Sequence, residues 1–210
     1  MLTLYDFARA PSPRRTRIFL AEKGIDAETI QIDLRSGEQL GDKFKAINPR
    51  CTVPVLKLET GQILTENLAI ADYLNGLKAE PALIGVDASS RADVLQWNAR
   101  IEMEGLMAVA EILRNSSESM KGRALPGQLN LEQIPALAKR GHIRLVDFYG
   151  RMNDHLKDRE FVSGDHYSLA DITLLVCIDF SAWVKATPDE SLTHLNRWHA
   201  MASARPASKA

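Results

Sequence analysis

The segment Asn48-Pro49-Arg50-Cys51-Thr52-Val53-Pro54-Val55-Leu56 sets the arrangement of the chain on either side of it. Pro54 stands directly against a short apolar run, where its missing N–H and fixed φ would interrupt an interior strand ladder. The pattern predicts that a strand begins here and that the Val53–Pro54 peptide bond is cis. A cis bond would turn the N–H and C=O of Val53 away from the sheet, which would leave this backbone free to pair with an extended peptide.

A helix start follows at Glu66-Asn67, where an apolar-periodic run begins. The first N–H groups of a helix have no partner inside the helix and attract negative charge. Together with the backbone of Val53 they would form one site for a zwitterionic peptide: backbone for its amides, helix N–H groups for its carboxylate and Glu66 for its amine. Glutathione is such a peptide.

The sequence around these two signals resembles the glutathione S-transferase family, in particular its bacterial-type members, without indicating the class. The resemblance rests on Asn-Pro at 48–49, Val-Pro-Val-Leu at 53–56 and Glu-Asn-x-Ala-Ile-x-x-Tyr-Leu from residue 66, and it continues through Ser-Leu-Ala-Asp at 168–171 and Trp198 to Arg-Pro at 205–206. Cys51-Thr52 stand where the family often has Gly-Lys, and Asn67 replaces the usual serine. Because Asn67 keeps its backbone N–H, we expect glutathione binding to survive this change.

Composition and charge exclude several other classes of protein. The 210 residues are 45% apolar and 25% charged, and the formal net charge of −1 gives no general attraction for nucleic acid or an anionic membrane. The two cysteines and five histidines show no metal-ligand spacing, and no Cys-x-x-Cys pair occurs. The sequence shows no signal-peptide pattern and no apolar run of about 18 residues. We therefore expect a cytoplasmic protein that binds no metal, nucleic acid or membrane.

The order of predicted elements indicates an α+β fold of two domains. Residues 1–77 read β-α-β-α-β-β-α, which is the thioredoxin-like arrangement of the family, and the expected right-handed crossover joins the first two strands. Residues 78–88 lack sustained periodicity and are interpreted as a linker. Residues 89–210 show only helical periodicity and are predicted to form an all-α helical bundle.

Several helix boundaries follow from capping residues. Ser12 is predicted as the N-cap of the first helix with Pro13 at its first position, and the helix is expected to end at Gly24. A short helix is expected over residues 39–46. In the second domain the predictions are a long helix from a Ser90-x-x-Asp93 cap to about residue 113, a second over about 131–156, and a buried helix after a Ser168-x-x-Asp171 cap.

Ser12 is the first candidate for activating the glutathione thiol. The thiol has a reference pKa of about 8.5, and this pKa must fall by ~2 units, or about 2.7 kcal/mol, for the thiol to react near pH 7. A hydroxyl at a helix start can supply about 1.5–3 kcal/mol by a hydrogen bond to the thiolate, and the helix dipole adds about 0.3–1 kcal/mol. Simple N-capping is the alternative role of Ser12, and Tyr5 is the second candidate because tyrosine-type members use a phenol near the end of the first strand. Stabilisation of the thiolate by backbone N–H groups alone is the third possibility.

The resemblance also implies a set of residues that bind the peptide. The glutathione-binding residues are expected to be Gln39, Thr52, Val53, Pro54, Glu66 and Asn67. Asn98 and Glu102 fall in the region that faces the partner's site in related homodimers, so they are candidates for a contact with a partner subunit. Arg14 and Arg15 are interpreted as solvated arginines paired with carboxylates.

These observations predict a homodimeric glutathione transferase, a detoxification enzyme that activates the thiol of its co-substrate for conjugation to a small electrophile. Two alternatives stay open. One is a glutathione-dependent disulfide reductase or peroxidase, in which Cys51 would have a redox role. The other is a non-catalytic glutathione-binding interaction protein that kept the scaffold and lost turnover.

Overall fold

The computed structural model describes residues 1–210, and the chain divides into two compact units. The first unit comprises Met1–Pro81 with Leu125–Leu129 and Ala210, and the second comprises Ala82–Ala124 with Asn130–Lys209. No helix combines the length and apolar character needed to cross a bilayer.

The first unit has the predicted β-α-β-α-β-β-α order. Its elements are β1 (Thr3–Asp6), α1 (Pro11–Lys23), β2 (Glu28–Gln31), α2 (Asp42–Lys45), β3 (Val55–Lys57), β4 (Ile63–Leu64) and α3 (Asn67–Leu77), with a 3-10 turn at Glu38–Leu40. The sheet order is β2-β1-β3-β4, in which β1 runs parallel to β2 and antiparallel to β3. This mixed sheet with helices confirms the predicted thioredoxin-like fold.

The two faces of β1 have different partners because side chains alternate across a strand. Asp6 points to α1, where its carboxylate accepts a hydrogen bond of 2.6 Å from the Arg17 guanidinium. Tyr5 points the other way, and its ring packs edge-on to Phe44, with centroids 6.1 Å apart. It belongs to a cluster formed around Phe44 by Ile32, Val53 and Val55.

The buried side chain of Lys23 ties the end of α1 to the last turn of α3 and to the chain that follows it. Its ammonium donates to Oδ1 of Asn75 at 2.7 Å and to the carbonyls of Lys78, Ala79 and Pro81 at 2.8, 2.9 and 2.6 Å. Burial lowers the pKa of Lys23 to about 8. Four acceptors around one ammonium provide the pairing that a buried charge requires.

Apart from one isolated bridge between Arg123 and Leu131, the regular elements of the second unit are all helical, as predicted. Its helices are α4 (Ala88–Arg100), α5 (Met107–Ser116), α6 (Pro135–His155), α7 (Leu169–Ser181) and α8 (Thr193–Ser203). A π-helical turn at Ile101–Leu106 connects α4 directly to α5, so the predicted long helix is continuous but locally widened. A Cβ on Gly105 would lie 2.7 Å from the Phe148 ring and 2.8 Å from Sγ of Cys177, so only glycine permits this approach.

Helix α7 is buried along nearly its whole length, and its N-terminus is closed by the predicted capping box. The Asp171 carboxylate accepts from the N–H and hydroxyl of Ser168 at 3.0 and 2.9 Å, from the Val162 N–H at 2.9 Å and from Nε1 of Trp198 at 2.9 Å. Burial raises the pKa of Asp171 to about 6, although these four donors act in the opposite direction.

Two predicted caps are corrected. The N-cap of α1 is Ala10, with Pro11 at the first helical position, so Ser12 lies inside the first turn and does not cap the helix. Helix α4 is capped by Asp87, which accepts from the N–H of Ser90 at 2.8 Å; Ser90 is the third helical residue and not the cap. At α4 two cap-forming residues, Asp87 and Ser90, lie three positions apart, and at α1 the true N-cap is an alanine, so the sequence pattern alone misplaces both boundaries by a few residues.

Candidate functional site

The loop before β3 is folded around the buried side chain of Asn48. Its Nδ2 donates to the carbonyl of Thr52 at 2.8 Å, and its Oδ1 accepts from the N–H of Arg50 at 3.0 Å. Cys51, between them, adopts a left-handed backbone with φ of 56°, a conformation that glycine adopts more readily. The Asn48-Pro49 pair is a recognised turn signal, so the sequence carries a hint of this role that the predicted site residues do not include.

Val53 lies just outside the sheet. The Val53–Pro54 bond is cis, which confirms the prediction. The ladder between β1 and β3 ends at the Tyr5–Val55 pair, and neither the N–H nor the C=O of Val53 forms a hydrogen bond with other backbone. Two backbone groups next to a strand end are therefore left for another partner.

The N-terminus of α3 is open. Its N-cap is Glu66, in an extended conformation, and no side chain caps the first turn. The Glu66 carboxylate is exposed and lies 3.9 Å from Nε of Arg50, a distance at which a surface ion pair contributes little. The first N–H groups of α3 can therefore bind an anionic group from outside the helix.

The N-terminus of α1 is also uncapped. Pro11 and Pro13 have no N–H, and the N–H groups of Ala10 and Arg14 donate to the carbonyls of Phe7 and Ala10. The N–H of Ser12 is therefore the one main-chain donor of this first turn that does not donate to a backbone carbonyl. This N–H is a main-chain donor of the kind that the sequence leaves open as an alternative to the Ser12 and Tyr5 side chains.

The two helix ends meet through the side chain of Asn67. The amide satisfies all its neighbours when Nδ2 donates to Oγ1 of Thr16 at 2.9 Å and to the carbonyl of Ser12 at 3.0 Å. Its Oδ1 then accepts from Nη2 of Arg15 at 3.1 Å and from Oγ of Ser12 at 2.8 Å. Arg15 is only 8% exposed, so the prediction that it is a solvated arginine is wrong.

Two other candidates, Tyr5 and Gln39, lie in different parts of the first unit. Tyr5 points to the face of the sheet opposite α1, where its ring packs against Phe44. Its role as the second candidate for thiol activation stays a prediction. Gln39 lies in the 3-10 turn before α2, and its buried Oε1 has no hydrogen-bond partner. A buried amide oxygen without a donor is uncommon, so Gln39 has an unused acceptor to offer a ligand.

The candidates for a partner contact also differ. Asn98 is 2% exposed, and its Oδ1 accepts from Oγ1 of Thr173 at 2.6 Å inside the second unit. This contact contradicts the prediction that Asn98 reaches a partner subunit. Glu102 lies half-buried in the π-helical turn, and its predicted contact stays a prediction.

Known proteins with similar sequences and structures complete the description. Residues 10–77 match the glutathione S-transferase N-terminal domain, and residues 135–206 match the C-terminal domain. The chain is 30% identical over 210 residues to glutathione S-transferase 2 of Saccharomyces cerevisiae, covering 99% of this chain and 88% of that protein. It is 26% identical over 201 residues to maleylacetoacetate isomerase of Rattus norvegicus, covering 92% of this chain and 85% of that protein.

Among solved structures, a glutathione S-transferase domain-containing protein of Marinobacter aquaeolei VT8 is similar with a TM-score of 0.91 and 30% identity. That likeness covers 98% of this chain and 99% of the other. The chain therefore belongs to the glutathione S-transferase family.

Proposed function

We propose that this protein is a glutathione transferase that activates the glutathione thiol for conjugation to a small electrophile. One observation carries the proposal: Asn67, the first residue of α3, lies 2.8 Å from the Ser12 hydroxyl in the first turn of α1, so two uncapped helix N-termini meet at one place. Glutathione has two anionic groups for these two helix ends, its γ-glutamyl carboxylate and its thiolate.

The peptide is bound by the residues around these ends. The N–H and C=O of Val53 pair with the backbone of glutathione, and the open first turn of α3 binds its γ-glutamyl carboxylate. The exposed Glu66 takes the amine, and the unpaired Oε1 of Gln39 accepts from the N–H at the glycine end. Thr52 and Pro54 hold Val53 in place.

The thiolate is stabilised at the start of α1. The Ser12 N–H and hydroxyl both lie in the first turn, where the helix dipole favours negative charge. Hydrogen bonds to a charged group contribute about 1.5–3 kcal/mol each, which is enough to lower a thiol pKa by the ~2 units that reaction near pH 7 needs.

Replacement of Ser12 tests this assignment. We expect Ser12→Ala to raise the pKa of the bound thiol by about one unit, because one of two donors is lost, while glutathione affinity stays nearly unchanged. The measurement is a pH titration of thiolate absorbance in the enzyme–glutathione complex, with the affinity from calorimetry. An unchanged pKa would assign the thiolate to main-chain N–H groups alone.

A second candidate function is glutathione-dependent isomerisation, which the likeness to the rat maleylacetoacetate isomerase favours. Both reactions begin with a bound thiolate, so the Ser12 titration does not separate them. The two reactions are separated by assaying the same preparation with a cis-configured unsaturated diketo acid and with a chlorinated nitroaromatic compound. Turnover of the diketo acid alone would show that the function is isomerisation and not conjugation.

The remaining alternatives are weaker. Cys51 is only 3% exposed, and its thiol lies 3.7 Å from the carbonyl of Pro49, which does not favour attack on a disulfide. We expect Cys51→Ser to keep all glutathione-dependent activity. A non-catalytic binding protein would retain glutathione on an affinity column without lowering its thiol pKa.

We further propose a homodimer located in the cytoplasm. An apolar face of the second unit is exposed on the π-helical turn, α5 and α6, at Met103, Met107, Ile143 and Val146, whose exposed fractions are 68, 51, 66 and 72%. A face of this kind on a soluble fold is typical of a protein interface. Light scattering of the wild type and of Val146→Glu tests the dimer, and a wild-type monomer would refute it.

A further inference from the structure

A buried arginine lies beside the proposed thiol site and is not accounted for by glutathione binding. Arg15 occupies the second turn of α1, and its Nη2 is 3.1 Å from Oδ1 of Asn67 and 3.4 Å from Oγ of Ser12. A guanidinium at the positive end of a helix is unfavourable, and its burial adds a desolvation cost. Arg15 is therefore held at a costly position directly beside Ser12 and Asn67.

The hydrogen bonds of the Asn67 side chain indicate what Arg15 does at this position. Its Oδ1 accepts from two donors, the guanidinium of Arg15 and the hydroxyl of Ser12. The guanidinium donor is fixed in direction, whereas the hydroxyl hydrogen can rotate to another acceptor. While Arg15 donates to Oδ1 of Asn67, the hydroxyl of Ser12 can rotate away and donate to a thiolate. Oδ1 of Asn67 then still has the guanidinium as a donor.

We infer that Arg15 is a positioning residue for thiol activation: by donating to Asn67 it releases the Ser12 hydroxyl from Asn67, and the released hydroxyl donates to the glutathione thiolate. Without Arg15, Oδ1 of Asn67 would keep the Ser12 hydroxyl as its donor, since a part-buried acceptor without a donor is costly. This inference rests on the proposed function, and it goes further by naming the residue that makes the Ser12 proton available.

The test is a double-mutant cycle on Arg15 and Ser12. We expect Arg15→Met to raise the pKa of the bound thiol by about 0.5–1 unit and to change glutathione affinity less than about threefold, since its action goes through the hydroxyl. In the Ser12→Ala background the same change should add less than about 0.2 unit, because the hydroxyl is already absent. Arg14→Met, which removes the same charge one residue earlier, is the control and should shift the pKa by less than half as much.

Each result decides the inference. An unchanged thiol pKa in Arg15→Met overturns the inference. A pKa shift that adds in full to that of Ser12→Ala also overturns it, because full additivity would show that Arg15 acts by its charge alone. If Arg15→Met does not fold, Arg15→Lys carries the test: loss of the planar fork is expected to raise the thiol pKa in the same direction, and no rise overturns the inference. A wild type that does not lower the thiol pKa at all would instead refute the proposed function, and this inference with it.

Discussion

The N-terminus of α7 is closed by side chains of the protein, whereas the N-terminus of α3 is open. The α7 terminus is closed: Ser168 and Asp171 are both fully buried, and the Asp171 carboxylate is surrounded by four donors. The α3 terminus has Glu66 at its N-cap without any side-chain cap, and the Glu66 carboxylate is exposed. The α1 terminus, which contacts α3 through Asn67, is uncapped as well.

The comparison separates a helix end that stabilises the protein from one that is available to a ligand. A first turn of a helix has four N–H groups to satisfy, and side chains, water or a ligand can satisfy them. At α7 the chain uses its own side chains inside the core. At α3 it leaves the groups open, so changes at the two ends should affect different properties.

The largest expected effect is at the closed end. Asp171→Ala leaves the N–H of Val162, the N–H of Ser168 and Nε1 of Trp198 without an acceptor, and each buried unpaired group costs about 1–3 kcal/mol. We expect the free energy of unfolding to fall by about 3 kcal/mol or more in urea titrations. The pKa of the bound thiol in the folded fraction should be unchanged; a shift would show that the two ends are coupled.

Asn48→Ala should affect both stability and binding. The substitution removes the hydrogen bonds that fold the loop before Val53, at a cost of about 1–3 kcal/mol for buried groups left unpaired. Because Val53 then loses its fixed position, we expect glutathione affinity to fall about tenfold. Calorimetric titration and urea unfolding measure the two effects, and intact affinity would remove Asn48 from the site.

Ser168→Ala is the stability counterpart of Ser12→Ala. The loss of a capping residue typically costs about 1 kcal/mol, and the change lies in the second unit, at the closed end. We therefore expect lower stability and an unchanged thiol pKa for Ser168→Ala, and the reverse for Ser12→Ala. Equal behaviour of the two serine variants in both measurements would contradict the distinction between closed and open ends.

Cys51→Gly should have the smallest effect. Glycine adopts the left-handed backbone of residue 51 without steric cost, whereas the buried thiol loses its packing, and the two contributions of about 1 kcal/mol oppose each other. We expect stability within about 1 kcal/mol of the wild type and unchanged glutathione affinity. A loss of turnover with intact binding would revive a redox role for Cys51.

Much of the fold was predictable because its signals are local. Pro54 against an apolar run predicted the cis bond and the strand start, and Ser168 followed by Asp171 predicted the cap of α7. Alternation and helical periodicity separated a mixed N-terminal part from an all-helical C-terminal part. The cap of α1 was misplaced by two residues because Ala10, the true N-cap, has no side chain that signals a cap.

The candidate site was predictable only in part. Local motifs named Val53, Glu66, Asn67 and Ser12, because each begins or precedes a regular element. The roles of Asn48 and Arg15 and the direction of the Tyr5 ring depend on which side chains meet across the first unit, and no spacing in the sequence carries that information.

From the order of its residues this chain could be read as a member of its family, with a strand start at Pro54 and helix starts near Ser12 and Glu66, since backbone preferences act over a few neighbouring residues. Packing alone determined that α1 and α3 meet at Asn67, that Arg15 is buried beside Ser12, and that Asn98 lies inside the helical unit. The contacts of Asn67 with Ser12 and of Asn98 with Thr173 join residues about fifty or more positions apart, and burial and hydrogen bonding select them only when the whole unit is folded.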